Sequence, residues 1–327
     1  MYEDEGINLF KLKGSIVFNV HWMAFVWALL FIGTSEPARG DIYRWVDDKG
    51  RIHFGDKDNS KRNSKKASEK IELRMTPSNW QRFDIKVTSI DVRLTDLETQ
   101  QIISDVNNVY EFFDSVMYFD FFRTVPVNIT IVKNKKKYGE YLQKTIGKNL
   151  PSRGMYISKN HEIVLYMRKN RKGTLATIKH ETSHAIIDSI APNTPAWLNE
   201  GLAEQMETLE REDMRLVTHQ HKENRSIINR VTMLPLREML DLKSRKWRDK
   251  LATTDTYLQA QAGEFVFFLL ATTPRKSFVT SMLQEYKRGS RMRSLYLVRD
   301  NYIGDVGGME VEWVMWLKRN NTTVVRF

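Results

Sequence analysis

The sequence predicts an α+β domain with a small mixed or antiparallel sheet, a helix that carries the motif His-Glu-x-x-His, and a mainly helical C-terminal half. Three observations support this class. Apolar residues alternate in several short segments between residues 83 and 165, which is typical of strands. The motif at residues 180–184 lies in a segment that can form a helix. Apolar residues then recur at helical spacing as far as residue 318.

Composition limits the chemistry that is open to the chain. Its 327 residues are 41% hydrophobic and 28% charged, which is typical of a globular protein with a sizeable core. The absence of cysteine excludes disulfides, thiolate metal ligands and a cysteine nucleophile. Any metal must therefore be held by histidine and carboxylate side chains. The formal net charge of +11 suits either a well-solvated basic surface or anionic partners.

Residues 1–40 are predicted to be a signal peptide or a membrane anchor. Two lysines precede an apolar run at residues 15–33, and Ala38 and Gly40 provide small residues at the −3 and −1 positions of a cleavage site. A run of about 20 apolar residues is also long enough to span a bilayer without being cleaved. Both interpretations predict that the remainder of the chain is exported.

Residues 41–56, with the sequence DIYRWVDDKGRIHFGD, predict a small β-hairpin. Apolar and polar side chains alternate on both sides of a turn in which Gly50 gives access to positive φ. The segment resembles a short module that follows the signal peptide in many Gram-negative envelope proteins. The matching residues are Tyr43, Trp45, Asp47, Gly50, His53, Phe54 and Asp56. The resemblance implies a periplasmic protein, or one anchored in the inner membrane and facing the periplasm.

Residues 57–77 are predicted to be a basic linker. The stretch Lys57–Lys70 contains six basic residues and no large apolar side chain, so we interpret it as a solvated tether. Contact with an anionic membrane or cell-wall polymer is the functional alternative. Nucleic acid is not expected as a partner, because the basic stretches are not interleaved with aromatic residues in a recognisable module.

The remaining domain, residues 78–327, is predicted to begin with strands and then become helical. Thr95 and Glu98 form a capping box that predicts the first helix. Strands are predicted at residues 83–87, 90–94, 127–131, 155–157 and 163–165. Helices are predicted near residues 138–144, 236–242, 258–270, 277–286 and 309–318, with a basic loop at residues 133–137.

The helix that carries the motif is predicted to start near Thr174. Positions four apart share a helix face, so His180 and His184 can bind one metal ion. Glu181 lies close enough to reach a water molecule on that ion. The pattern therefore predicts a metal site built on a single helix.

A break at residues 191–195 separates this helix from the next one. Thr194 is predicted to cap the second helix, with Pro195 at its first position. The turn would allow Glu200 to return to the two histidines as a third ligand. Two imidazoles and a carboxylate, with one position left open, are the ligand set of a catalytic zinc site, and we expect one zinc per chain. We expect water on the zinc to attack a peptide carbonyl, with Glu181 as general base.

The two segments together resemble the gluzincin zinc metallopeptidases. The resemblance is carried by His180-Glu181-x-x-His184 and by Trp197-Leu198-Asn199-Glu200-Gly201-Leu202-Ala203. It is closest to the aminopeptidase-N-like pattern W-L-N-E-G-F-A and to small bacterial, thermolysin-like members of the same clan. It implies Glu181 as the base and Glu200 as the third ligand. Fifteen residues separate His184 from Glu200, a shorter interval than in the large aminopeptidases.

The resemblance implies four further site residues. Glu204, one turn after Glu200, is similar to the acidic residue that orients a zinc histidine in thermolysin-like enzymes. Tyr257 lies 57 residues after Glu200 and resembles an oxyanion-stabilising tyrosine, with packing at a helix start as the alternative. Gly154 and Met155 match part of a substrate-binding strand, without the glutamate that binds the substrate amine in aminopeptidases.

The predicted partner is thus a peptide or protein substrate, and one alternative function remains. The chain could be a non-catalytic, zinc-containing protein that binds the bacterial envelope through its hairpin and linker. A structural zinc is usually closed by a fourth protein ligand. His219 and His221 are the nearest further histidines in the sequence.

Overall fold

The computed structural model describes the strands at residues 42–46, 52–55 and 69–71 as backbone. From residue 85 it describes the chain except residues 122–124, 126, 254–256 and 320–321, and the side chains of residues 252–253. The leader predicted at residues 1–40 lies outside the described residues. In the part of the chain that is described, no helix is long and apolar enough to cross a membrane. The chain divides into two units, residues 1–79 and 80–327.

The first unit contains a three-stranded sheet. Strands β1 (Ile42–Val46) and β2 (Ile52–Gly55) are antiparallel, with Trp45 opposite His53, which confirms the predicted pairing of the hairpin. Strand β3 (Glu69–Ile71) pairs antiparallel with the other edge of β1. The prediction of an unstructured linker was therefore wrong at these three residues, because the free edge of a strand offers backbone groups that need partners.

The second unit begins with a four-stranded mixed sheet. Its strands are β4 (Ile85–Ile90), β5 (Val127–Val132), β6 (Gly154–Ile157) and β7 (Glu162–Tyr166), in the order β4-β5-β7-β6. The β4–β5 and β5–β7 pairs are parallel, whereas β6 pairs antiparallel with β7 and forms one edge of the sheet. The parallel pairs require crossovers. Helices α1 (Asp96–Glu111) and α2 (Lys135–Ile146) lie in these connections.

Two local predictions in this region need correction. The strand predicted at residues 90–94 does not form, because Asp91 adopts a positive φ of 57° that turns the chain before α1. The basic loop is shorter than predicted, because Asn134 accepts a hydrogen bond from the Lys137 amide (3.1 Å) and starts α2 at Lys135. The capping box at α1 is confirmed, since Thr95 Oγ1 accepts from the Glu98 amide at 3.2 Å.

The C-terminal half is mainly helical, as predicted, and the fold is α+β. The helices are α3 (Arg171–Ile190), α4 (Ala196–Glu207), α5 (Lys222–Ile228), α6 (Leu236–Asp241), α7 (Ser244–Thr253), α8 (Tyr257–Leu270), α9 (Thr273–Lys287), α10 (Ser294–Asn301) and α11 (Asp305–Arg319). A small antiparallel sheet, in the order β10-β9-β8, joins β8 (Glu210–Glu212), β9 (Arg215–His219) and β10 (Val324–Arg326).

Helix α8 is buried on all sides along most of its length, because every residue from Ala260 to Leu270 is buried. Helix α4 packs between α8 and α3. Gly201 makes this possible, because a Cβ at that position would lie 2.4 Å from Val266 Cγ2 and 2.7 Å from the Ala262 carbonyl oxygen. The close packing fixes α4, and therefore its polar side chains, against α3.

Candidate metal centre

The structure brings together the three residues that were predicted to bind the metal. His180 and His184 lie on α3, and Glu200 lies on α4. Glu200 Oε2 is 3.7 Å from Nε2 of His180 and 3.7 Å from Nε2 of His184. The potential ligand atoms of the three residues all lie within 4.8 Å of one another.

The turn between the two helices explains how Glu200 reaches the histidines. The Thr194 hydroxyl donates to the Ala191 carbonyl oxygen at 2.7 Å. Pro195 is the N-cap residue of α4. The prediction that Thr194 is the N-cap was therefore wrong, since its hydroxyl stabilises the end of the preceding turn. The Pro195 carbonyl accepts the Asn199 amide at 3.0 Å and closes the first turn of α4, which places Glu200 at the start of the second turn.

This donor set fits a zinc ion. Zinc at about 2.0–2.2 Å from tetrahedral ligands places those ligand atoms roughly 3.3–3.6 Å apart. The 3.7 Å separations between the carboxylate and each imidazole are only slightly larger. Two imidazole nitrogens and one carboxylate oxygen also match the chemistry of catalytic zinc ligands.

Each histidine has an acceptor at its other ring nitrogen. His184 Nδ1 lies 2.9 Å from Asn199 Oδ1. An amide oxygen can only accept, so the proton belongs on Nδ1 and Nε2 keeps its lone pair. His180 Nδ1 lies 3.0 Å from Glu207 Oε1, close enough for an ion pair although the N–H is not aligned for a hydrogen bond. Both rings thus turn Nε2 towards the shared position.

Glu207 contacts His180 directly, whereas Glu204, which was predicted to orient a zinc-binding histidine, lies within 4.8 Å of the same two residues without forming an ion pair with His180. Glu204 instead accepts a hydrogen bond from Asn224 Nδ2 at 2.7 Å, and both residues are buried. Glu207 also contacts a second histidine, with Oε2 at 3.3 Å from His221 Nε2. Glu200, Glu204 and Glu207 recur at helical spacing, so the sequence predicts that all three lie on the face of α4 that meets His180. The spacing does not predict which of the two later carboxylates contacts the histidine.

The electrostatics of the cluster are dominated by these ion pairs. Burial alone would lower the pKa of His180, but the adjacent Glu200 and Glu207 carboxylates outweigh burial and raise the pKa well above its ordinary value. Burial alone would raise the pKa of Glu200, but His184 and His180 lower it. Contact with Glu207 is the main cause of the raised pKa of His221. A metal ion bound through both imidazoles would therefore have to displace a proton from His180.

Glu181 lies next to the edge of the sheet. Its Oε2 accepts a hydrogen bond from the Tyr156 amide of β6 at 2.9 Å, and the residue is 9% exposed. Gly154 allows this approach, because a Cβ there would lie 2.7 Å from Thr177 Cγ2 and 3.4 Å from Glu181 Cγ. The carboxylate is thus fixed between the motif helix and a strand that has one unpaired edge.

A cleft of about 440 Å³ lies beside His180 and Glu181, and its described lining does not include His184 or Glu200. His180, Glu181 and Gly154 line it, together with residues of α4, α5, α7 and α8. Met155 does not line the cleft, since successive strand residues point to opposite faces. Its side chain packs against a small apolar cluster formed by Val132, Tyr138, Leu142, Ile157 and Val164.

Tyr257 forms no hydrogen bond to His180, His184 or Glu200 in the part of the chain that is described, and its role as an oxyanion-stabilising residue stays a prediction. Its half-buried side chain packs against the main hydrophobic core, and it is not among the described residues that line the cleft. Gln259, two positions further along α8, lines the cleft and donates from Nε2 to Glu200 Oε2 at 3.3 Å. Residues two apart on a helix do not share a face, so Gln259 and Tyr257 lie on different faces of α8.

The two remaining histidines considered from the sequence lie in different surroundings. His221 lines the cleft and contacts Glu207. His219, on β9, has Nε2 at 2.6 Å from Glu210 Oε1 and does not line the cleft in the described part of the chain. Asn199 and Gln259 contact the metal-binding residues and were not predicted as site residues, although Asn199 belongs to the recognised motif.

Comparison with known proteins informs the N-terminal region only. A profile for a domain of unknown function, DUF4124, matches residues 29–79. The match includes the hairpin and the basic linker, and it ends before the first residue of the second unit. No match is found among curated proteins. The function of the second unit must therefore be argued from its site.

Proposed function

We propose that the chain is a gluzincin-type zinc metallopeptidase that hydrolyses peptide bonds in the bacterial envelope. One observation carries the proposal. His180, His184 and Glu200 converge on one position, and Glu181, the residue after His180 on α3, lines a cleft together with His180. This combines three metal ligands with a free carboxylate, which is the set needed for hydrolysis by an activated water molecule.

Zinc bound by these three residues would supply a Lewis acid that acidifies water and polarises a carbonyl group. Glu181 would accept the proton from the attacking water and deliver it to the leaving amine. The hydrogen bond from the Tyr156 amide holds Glu181 Oε2 in place and leaves Oε1 to exchange the proton. The outer edge of β6, which contains Gly154, could pair with the extended backbone of a peptide.

We also propose that this peptidase acts outside the cytoplasm, in the periplasm or anchored to the inner membrane. The leader pattern of residues 1–40 and the β1–β2 hairpin that follows it support this location. The basic stretch Lys57–Lys70 would favour contact with anionic membrane or cell-wall polymers. Charge alone supports this contact.

The test is metal-dependent cleavage of a broad library of fluorogenic peptides. Purified protein is assayed as isolated, after removal of metal by a chelator, and after addition of one equivalent of zinc. The proposal expects cleavage that is lost on chelation and restored by zinc. Tight binding of zinc without cleavage of any peptide would favour the non-catalytic envelope-binding protein instead. Failure to bind zinc would contradict both functions.

A further inference from the structure

The charged side chains of the cleft differ in how they are engaged. Glu181 accepts the Tyr156 amide, Glu204 accepts Asn224, and Glu207 contacts two histidines. Glu223, at the start of α5, also lines the cleft but is exposed. It forms no hydrogen bond or salt bridge with any residue that the structure describes, although its negative charge contributes to the raised pKa of His221. Its carboxylate is therefore free to bind a cation that enters the cleft.

Apolar side chains also line the cleft. Ile227 is one turn after Glu223 on α5, so the two residues share a helix face. Leu251 of α7 and Ala260 of α8 line the cleft with them. A cleft that combines a carboxylate with apolar side chains is complementary to a side chain with an aliphatic stem and a positively charged end. Lysine and arginine are the amino acids with that construction.

We propose that the cleft selects peptides with a lysine or arginine near the scissile bond, and that Glu223 determines this preference. The inference rests on the proposed function and names the substrate class of the same site. Glu223 receives the ammonium or guanidinium group, while Ile227 and Leu251 contact the stem. An exposed ion pair of this kind is worth a preference of about fivefold.

Among the described residues that line the cleft, Arg153 is the one exposed lysine or arginine, which makes the charge test specific. Arg153 precedes β6 and lines the cleft, whereas Glu223 belongs to α5. The two opposite charges therefore lie on different elements. A substrate with an acidic side chain would use Arg153, so the two residues predict opposite preferences.

The experiment compares peptides that are identical except for lysine, norleucine or glutamate at one position, which is moved in turn along the peptide. The measured quantity is kcat/KM for each peptide. We expect wild type to favour lysine over norleucine about fivefold at one position. Glu223→Gln should remove this preference and Glu223→Lys should shift it to glutamate. Glu285→Gln changes an exposed carboxylate of α9 that is not among the described lining residues of the cleft, and it should keep the preference.

A second measurement separates this inference from the proposed function. Binding of the labelled lysine and norleucine peptides is measured by fluorescence anisotropy with zinc-loaded wild type and Glu223→Gln. Cleavage with equal rates for the two peptides at every position, or a lysine preference that survives in Glu223→Gln, would overturn the inference and leave the peptidase intact. Selective binding that depends on Glu223, without any cleavage, would support the inference and overturn the proposed function.

Discussion

Glu207 is the residue that the site adds to the sequence pattern. It lies one turn after Glu204 on α4, and its two oxygens contact His180 Nδ1 and His221 Nε2 at 3.0 and 3.3 Å. An ion pair at this position would favour a proton on Nδ1 of His180 and would increase the basicity of Nε2 towards a metal ion. Glu204, which the motif suggested for this role, is bound to Asn224 instead.

Replacement of Glu207 should therefore weaken zinc binding more than replacement of Glu204. We expect Glu207→Gln to lower zinc affinity about 10- to 100-fold, because the ring of His180 loses its anionic acceptor. Glu204→Gln keeps an oxygen that can accept from Asn224 and should have a much smaller effect. Competition with a chromogenic chelator measures both affinities. Equal losses in the two variants would contradict the assignment.

Protonation of His180 gives a second prediction at this scale. The raised pKa of His180 means that the metal-free protein keeps the proton at a pH where an ordinary histidine, with a pKa of about 6.5, has lost it. Zinc must displace this proton, so zinc affinity should fall as the pH is lowered through the raised pKa. NMR titration of the metal-free protein, with His180→Asn for assignment, measures the midpoint. A midpoint at or below the ordinary value would contradict the ion pairs described for Glu200 and Glu207.

Among the elements, the contact between α4 and α8 depends on a glycine. The space occupied by a Cβ at Gly201 is already filled by Val266 and by the Ala262 carbonyl group. A backbone atom cannot move aside as a flexible side chain can. Gly201 in the motif is therefore explained by packing, since α4 must lie against α8 while it presents Glu200 to α3.

Gly201→Ala should destabilise the protein by about 1–3 kcal/mol, because the extra methyl group forces α4 away from α8. The matched control is Gly307→Ala on α11, where a Cβ would meet only Asp305 Oδ1 at 3.2 Å. Alanine should cost less there, because only one side-chain oxygen has to shift slightly and alanine favours helix. Urea denaturation measures both free energies of unfolding. A change at Gly201 no larger than that at Gly307 would show that the helices can separate freely.

Helices and strands with a strong local sequence pattern were predicted correctly. Elements that form only through tertiary contacts were not. The capping box of Thr95 and Glu98 and the alternation in β5 gave their elements directly. Strands β8 and β10 have three residues each and are held by pairing with β9, so their own sequences carry little periodicity. Thr194 was predicted to be the N-cap of α4, but its hydroxyl donates to the Ala191 carbonyl at the end of α3 instead.

For the whole molecule, the sequence predicted the α+β class. It also predicted that the motif at residues 180–184 and the motif at residues 197–203 would come together although they lie on different helices. Fixed spacing on α3 placed His180 and His184 on one face, and the turn before α4 returned Glu200. The lining of the cleft could not be predicted in the same way. Gln259 and Glu223 come from α8 and α5, and their positions depend on how those helices pack.

The most direct test of the central claim is zinc content and peptide hydrolysis measured together in wild type and Glu181→Gln. The substitution removes the proposed base and changes none of the three zinc-binding residues. We predict about one zinc per chain in both proteins, cleavage of at least one library peptide by wild type, and loss of that cleavage by at least about 100-fold in the variant. Undiminished cleavage by Glu181→Gln with its zinc retained would contradict the claim.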